Sequence, residues 1–258
     1  MLLTIDIGNT LIDFGFFSKR RLESVYKAAT KPIRSEDEYR SVLLSALEAV
    51  GIKKEDVDDI IISCVVPSLI RTFYDLSLSF FGKKPLLLGP GLSSGVKLNV
   101  DNPLEVGSDL VADSAGAKVR YGTGLFIADL GTASKYIYLD MEGDFSGLVI
   151  APGFRLSIEA LVKGAAALPE VNLLAPKRVI GKNTLDCMNS GITYGTAFEV
   201  MGFANAFEKE VGYPLRKVLT GGNAKYVASL LQKDFVYDEN LLLYGLEAIY
   251  RRKRGNKQ

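Results

Sequence analysis

The chain opens with a largely apolar run, positions 2–7, that stops at Gly8-Asn9-Thr10, a turn signal. A second run at 11–17 follows at once. The pattern therefore predicts two strands joined by a hairpin with a polar tip, and 21–28 continues as a third strand. Positions 35–50 carry helical periodicity, with Ser35 placed as N-cap and Gly51 just past the end. A buried strand at 59–66 runs into Pro67, which opens a helix to about Phe81. A short strand is predicted at 85–88, a Gly/Ser/Pro-rich stretch at 89–107, and a helix from Ser108 to about Tyr121.

The same order then begins again. Positions 125–129 are apolar and lead to Gly131-Thr132-Ala133-Ser134, with strands predicted at 136–139 and 145–150. Helices follow at 154–167 and 184–211, and a strand at 216–220 ends in Gly221-Gly222. Further helices are predicted near 223–232 and 240–252. Ile5-Asp6-Ile7-Gly8-Asn9-Thr10 and Ala128-Asp129-Leu130-Gly131-Thr132-Ala133 share one form, and their aspartates lie about half a chain length apart. One Asp-x-Gly is a common surface turn; two at equivalent places in a repeated pattern are a stronger signal. The expectation is an α/β protein of two similar lobes, 1–122 and 123–258, facing a cleft to which each brings an Asp-Gly turn.

Composition narrows the chemistry. With 258 residues, 48% hydrophobic and 24% charged, the chain has an ordinary globular balance and room for one large domain or two modest ones. The longest apolar stretch, around 60–70, is short for a bilayer and contains Pro67. No basic segment leads into an apolar one with a cleavage site, and Cys64 and Cys187 form no metal spacing, so the expected location is cytoplasmic. There is no histidine, which excludes Ser-His-Asp and Cys-His pairs and histidine-bound metals. A general base must then be a carboxylate, lysine, tyrosine or thiolate, and any metal an oxygen-bound ion such as magnesium or potassium. A net charge of +1 gives no long-range pull toward nucleic acid or membrane. The basic run Arg251-Arg252-Lys253-Arg254 reads as a solvated helix end whose cations complement the dipole.

A hairpin tip after a buried strand can present backbone N–H groups as an anion-binding concavity. Gly8 permits the turn and the close approach of a phosphate, Asn9 and Thr10 add donors, and Asp6 is placed to hold magnesium against that phosphate. Gly131, Thr132 and Ser134 can act in the same way from the second lobe, and Gly221-Gly222 offers backbone against which a nucleoside can lie. Neither a P-loop nor a dinucleotide fingerprint is present. Asp109, at the start of its helix, is the best-placed base for a hydroxyl attacking the γ-phosphate of ATP. Asp113, one turn on, is expected to raise the pKa of one member of the pair. A first-turn carboxylate is also an ordinary dipole partner.

Together these residues resemble the type III pantothenate kinases of the acetate kinase/sugar kinase/Hsp70/actin superfamily, with ribonuclease H-like lobes. The resemblance rests on Asp6 to Thr10, Ser63-Cys64-Val65-Val66-Pro67, Asn102-Pro103 with Val106-Gly107-Ser108-Asp109, and Asp129 to Ala133. It continues through Ala151-Pro152-Gly153, Leu168-Pro169, Gly181-Lys182-Asn183-Thr184, Ser190-Gly191 and Thr220-Gly221-Gly222. It implies ATP-dependent phosphorylation of pantothenate, the first step of coenzyme A biosynthesis, by a homodimer using Mg2+ and a monovalent cation, K+ or NH4+. By that resemblance Asp6, Ile7, Gly8, Asn9, Thr10, Leu11, Ile12 and Asp13 form the first ATP-binding hairpin. Gly131, Thr132, Gly221 and Gly222 serve the nucleotide from the second half. Asp109 is the proton acceptor, Asp129 the monovalent-cation ligand, and Val100, Gly107, Ser108, Asp109, Leu110 and Thr184 line the pantothenate pocket. The second half also holds dimer and adenosine elements.

The chain departs from that pattern in three places. Leu110 stands where an arginine is usual and Val100 where a tyrosine is usual, which strips polarity from the substrate pocket and weakens the hold on a carboxylate. Arg155 and Lys163 are candidate compensators. Ser134 and Lys135 replace two threonines, and the Lys135 ammonium is expected either near the phosphates or in place of the monovalent cation; a solvent-facing lysine in an alternating strand is the plainer alternative. A kinase with an altered acceptor, or a non-catalytic nucleotide-binding paralogue, are the competing functions.

Overall fold

The computed structural model describes residues 1–89, 92–165, 168–169, 176–231 and 233–255. The predicted helix ends at Ala167 and Gln232 lie outside the described residues. The chain divides into two compact units: residues 1–97, 101–120 and 241–258, and residues 98–100 and 121–240.

In the first unit, β1 (Leu2–Ile7), β2 (Leu11–Ser18) and β3 (Arg21–Ala29) form an antiparallel meander. Strand β4 (Asp59–Cys64) adds in parallel to β1, and β5 (Leu86–Leu87) to β4. The order is β3-β2-β1-β4-β5. Helix α1 (Glu36–Val50) starts at a capping box of Ser35 and Glu38 and ends at Gly51 with φ 69°, a left-handed position suited to glycine. Helix α2 (Pro67–Phe81) has Pro67 in its first turn, where a missing N–H costs nothing. Leu3, Ile5, Ile7, Phe14, Phe16, Tyr39, Leu43 and Phe73 fill the core between these elements.

In the second unit, β6 (Leu125–Leu130), β7 (Ala133–Leu139) and β8 (Phe145–Pro152) form an antiparallel meander. Strands β9 (Arg216–Thr220) and β10 (Phe235–Tyr237) join it in parallel. Read from β8, the order is β8-β7-β6-β9-β10, the strand arrangement of the first sheet repeated. The duplication expected from the two Asp-Gly turns is thus a duplication of sheet topology. Helices α4 (Phe154–Gly164) and α5 (Thr184–Val211) pack on this sheet around Phe126, Tyr136, Phe203 and Phe207.

Two elements depart from the pattern-based expectation. The helix predicted near 223–232 is a pair of short 3-10 turns, Ala224–Tyr226 and Ala228–Leu230. Strand β10 has no counterpart in the pattern; three residues give no period, and it is held by pairing with β9 and by Phe235 packing edge-on to Phe126.

Helix α3 (Ser108–Tyr121) and the last helix, α6 (Leu241–Gly255), both belong to the first unit. The division expected at 122/123 therefore does not describe the last helix. Leu241, Leu243, Leu246 and Ile249 are buried, and α6 packs on β1 and β4. Its crossing with α3 is glycine on glycine: a Cβ at Gly245 would lie 1.8 Å from the Ala112 carbonyl oxygen, and one at Gly116 2.4 Å from that of Leu241. The basic run is only partly a solvated helix end. The Arg254 guanidinium and the Tyr250 hydroxyl both donate to the Asp59 carboxylate on β4, and Arg251 pairs with Glu247 at 2.6 Å. Burial first, and then the Asp59 carboxylate, push the Tyr250 phenol up to about 12.

Candidate active site

In the first unit the hairpin tip closes with the Gly8 N–H donating to the Leu11 carbonyl at 2.9 Å. That N–H serves the turn, so donors toward an anion must come from the exposed residues Asn9 and Thr10. Thr30, just past the end of β3, braces the tip, its hydroxyl donating to the Gly8 carbonyl at 2.7 Å and its N–H to that of Thr10 at 2.9 Å. Ile7 and Ile12 are fully buried, so only their backbone can face a ligand. Asp6 sits across from Asp13 in the antiparallel register, and Lys27 on β3 pairs with Asp13 at 3.4 Å, offsetting two like charges on neighbouring strands.

Asp6 is also level with Ser63 on the parallel side. The Ser63 and Ser108 hydroxyls lie 3.0 Å apart, and the Cys64 N–H donates to Ser108 Oγ at 3.2 Å. The start of α3 is thereby tied to the strand end beside Asp6. Asp109 is half-buried, and its Oδ1 accepts the Leu110 N–H at 2.9 Å. A Cβ at Gly107 would lie 2.5 Å from that same oxygen, so glycine is what lets the carboxylate fold back there. Burial pushes the Cys64 thiol up, helped by the Asp6 charge, so it is no thiolate nucleophile at neutral pH. Asp113, one turn beyond Asp109, is buried.

The second unit repeats the device with one residue fewer. The Gly131 N–H donates to the Ala133 carbonyl at 3.2 Å, and Thr132 is exposed at the tip. Two residues absent from the sequence-based set hold this turn. A Cβ at Gly153 would meet the Thr132 and Gly131 carbonyls at 2.4 and 2.6 Å, and Asn223 Nδ2 donates to the Gly131 carbonyl at 2.9 Å. Asp129 is level with Thr220 at the end of β9, and Gly221, with φ 93°, lies against the Asp129 carboxylate. Gly221 therefore lies against the end of β6, at Asp129 and Leu130, immediately before the Gly131 turn. Asp129 itself forms an ion pair with Lys135, Oδ2 to Nζ 2.5 Å.

The residues carried over for pantothenate divide between the units. Gly107, Ser108, Asp109 and Leu110 are in the first; Val100 and Thr184 are in the second, with Thr184 exposed at the start of α5 and Val100 half-buried. Leu110 is 6% exposed and belongs to the packed side of α3. Arg155 pairs with Glu159 at 2.8 Å, and Lys163 is exposed.

The profile of the type III pantothenate kinase family matches residues 2–206. This chain belongs to that family. It is 35% identical to a type III pantothenate kinase of Geobacillus sp. (strain WCH70) over the full length of both chains. It is 35% identical to one of Listeria monocytogenes serovar 1/2a over 98% of each. Among solved structures, component A of the Acidaminococcus fermentans (R)-2-hydroxyglutaryl-CoA dehydratase has a similar fold, with TM-score 0.57 and 17% identity over 99% of this chain and 98% of that one. As a type III pantothenate kinase, the chain is a phosphotransferase that acts on pantothenate in coenzyme A biosynthesis and uses ATP. Among its described residues no helix is long and apolar enough to cross a membrane.

Proposed function

We propose that Asp109 is the base through which this chain phosphorylates pantothenate. The supporting observation is the Ser63–Ser108–Cys64 tie, which sets the first turn of α3 beside the strand carrying Asp6. The pantothenate hydroxyl oxygen attacks the γ-phosphorus of ATP, a new P–O bond forms, the bond to the bridging oxygen breaks, ADP leaves, and the hydroxyl proton passes to the Asp109 carboxylate. Such a transfer asks mostly for positioning and charge neutralisation. Among the described residues no three acidic or thiol groups form a metal cage. Magnesium is normally held by one or two carboxylates plus the phosphates themselves, a role that the half-buried Asp6 at its strand end fits. Bound there, magnesium would neutralise phosphate charge. Asn9, Thr10 and Thr132 are the candidate phosphate donors. The test is formation of phosphopantothenate from magnesium-ATP and pantothenate, one for one with ADP. ATP binding with no product at saturating pantothenate would overturn the assignment.

Leu110 supplies no partner for the pantothenate carboxylate. A lost charged hydrogen bond costs about 2–5 kcal/mol, so weak pantothenate affinity is part of this proposal.

We also propose a homodimer formed through the second unit. Phe198 and Leu185 on α5 are 55% and 48% exposed, with Leu156 and Leu161 on α4 and Ile150 on β8 exposed as well. These three elements adjoin one another, and their exposed apolar side chains are candidates for a protein-binding face. Phe198→Asp is expected to weaken self-association by about 30-fold or more, read by sedimentation or light scattering, because interface anchors typically contribute about 2 kcal/mol or more. A variant that stays dimeric at the same concentrations places the interface elsewhere.

A further inference from the structure

The residues around Asp129 do not fit an external monovalent cation. In the antiparallel register of β6 and β7, Asp129 and Lys135 are direct cross-strand partners, so their side chains emerge on the same face. The ammonium lies 2.5 Å from Oδ2, and the Lys135 and Asp129 side chains are only 16% and 10% exposed. The other carboxylate oxygen is walled by Gly221, where an added Cβ would come within 2.5 Å of Oδ1. Asn223 braces the turn beside this carboxylate, bonded through its N–H to the Leu130 carbonyl and through its side chain to that of Gly131. A lysine ammonium is a compact point charge with three donors. A potassium or ammonium ion at this carboxylate would sit beside a like charge, in a setting where water screens little.

We infer that Lys135 is a built-in monovalent cation. Its ammonium neutralises Asp129 from within the chain, and the enzyme turns over without added potassium or ammonium. The inference rests on the reading of Asp129 as the monovalent-cation ligand of a pantothenate kinase. The tether also makes the charge permanent: a cation carried on the neighbouring strand has no dissociation equilibrium with bulk salt.

The experiment compares potassium chloride with choline chloride at equal ionic strength, for the full chain and for Lys135→Thr. Two readouts are taken, phosphopantothenate formation and the thermal unfolding midpoint. For the unaltered chain both readouts are expected to be the same in the two salts. Lys135→Thr leaves a largely buried carboxylate without this partner, so in choline its rate falls by about tenfold or more and its midpoint drops. Potassium then restores both in a saturable manner. Strong potassium activation of the unaltered chain overturns the inference. So does a Lys135→Thr protein that is indifferent to potassium in both readouts. If no phosphopantothenate forms in any salt, the kinase reading fails, but the salt dependence of the two unfolding midpoints still decides the cation question.

Discussion

Asp109→Asn lowers phosphopantothenate formation by about 10²–10⁴-fold and leaves ATP affinity within about twofold, because it removes a proton acceptor without removing a binding group. The amide has the shape of the carboxylate, and its oxygen can accept the Leu110 N–H as Asp109 Oδ1 does. The contacts that place α3 run through Ser108, Ser63 and the Cys64 N–H, none of which the substitution touches. The groups proposed for ATP are on other elements: the hairpin around Gly8, the turn at Gly131 and the glycines after β9. A fall in kcat at unchanged nucleotide affinity therefore isolates the proton transfer. An Asp109→Asn protein with nearly full turnover would mean that the hydroxyl loses its proton elsewhere, and no histidine exists to take it.

What can be read from the chain, and what cannot, follows from the range of the interactions. The Asp-Gly turns are local: an apolar run, a carboxylate and a glycine identify them, and the duplicated pattern points to two similar lobes, whose sheets share one strand order. The nomination of Asp109 is local too, as a carboxylate in the first turn of a helix. The tie that positions it is not, since Ser63 and Ser108 are far apart in sequence and only the parallel pairing of β1 and β4 brings the first beside Asp6. The same limit applies to Gly153 and Asn223, which grip the Gly131 turn from distant segments. Helix α6 has a clear apolar stripe, but nothing in its own period says which sheet the stripe covers. The best hint is Gly245, a helix-interior glycine that makes sense only once the Ala112 carbonyl is seen against it. Lys135 is an intermediate case. Once the hairpin length is counted, the register pairs it with Asp129; a lysine on an exposed strand reads the same way until burial is known.

Gly221→Ala and Gly222→Ala, adjacent substitutions of the same size, are expected to fail differently. Gly221 has φ 93°, which costs an L-residue about 1–2 kcal/mol, and its backbone lies against β6. The new Cβ would sit 2.5 Å from Asp129 Oδ1, 2.6 Å from the Leu130 nitrogen and 2.7 Å from its carbonyl carbon. Two of those atoms are sheet backbone and cannot swing aside, so overpacking adds about 1–3 kcal/mol more. The second unit of Gly221→Ala should unfold at clearly lower denaturant, and whatever folds should carry a displaced Asp129–Lys135 pair. At Gly222 nothing lies within 4 Å of an added Cβ and φ is not positive. That variant should keep its stability, and any loss it shows should appear as a higher KM for ATP, since the methyl occupies only the space proposed for the nucleoside. Equal stability loss in both variants would mean that the whole Gly221-Gly222 segment is a folding element; equal and normal stability would mean that β9 and β6 separate far more easily than their shared register implies.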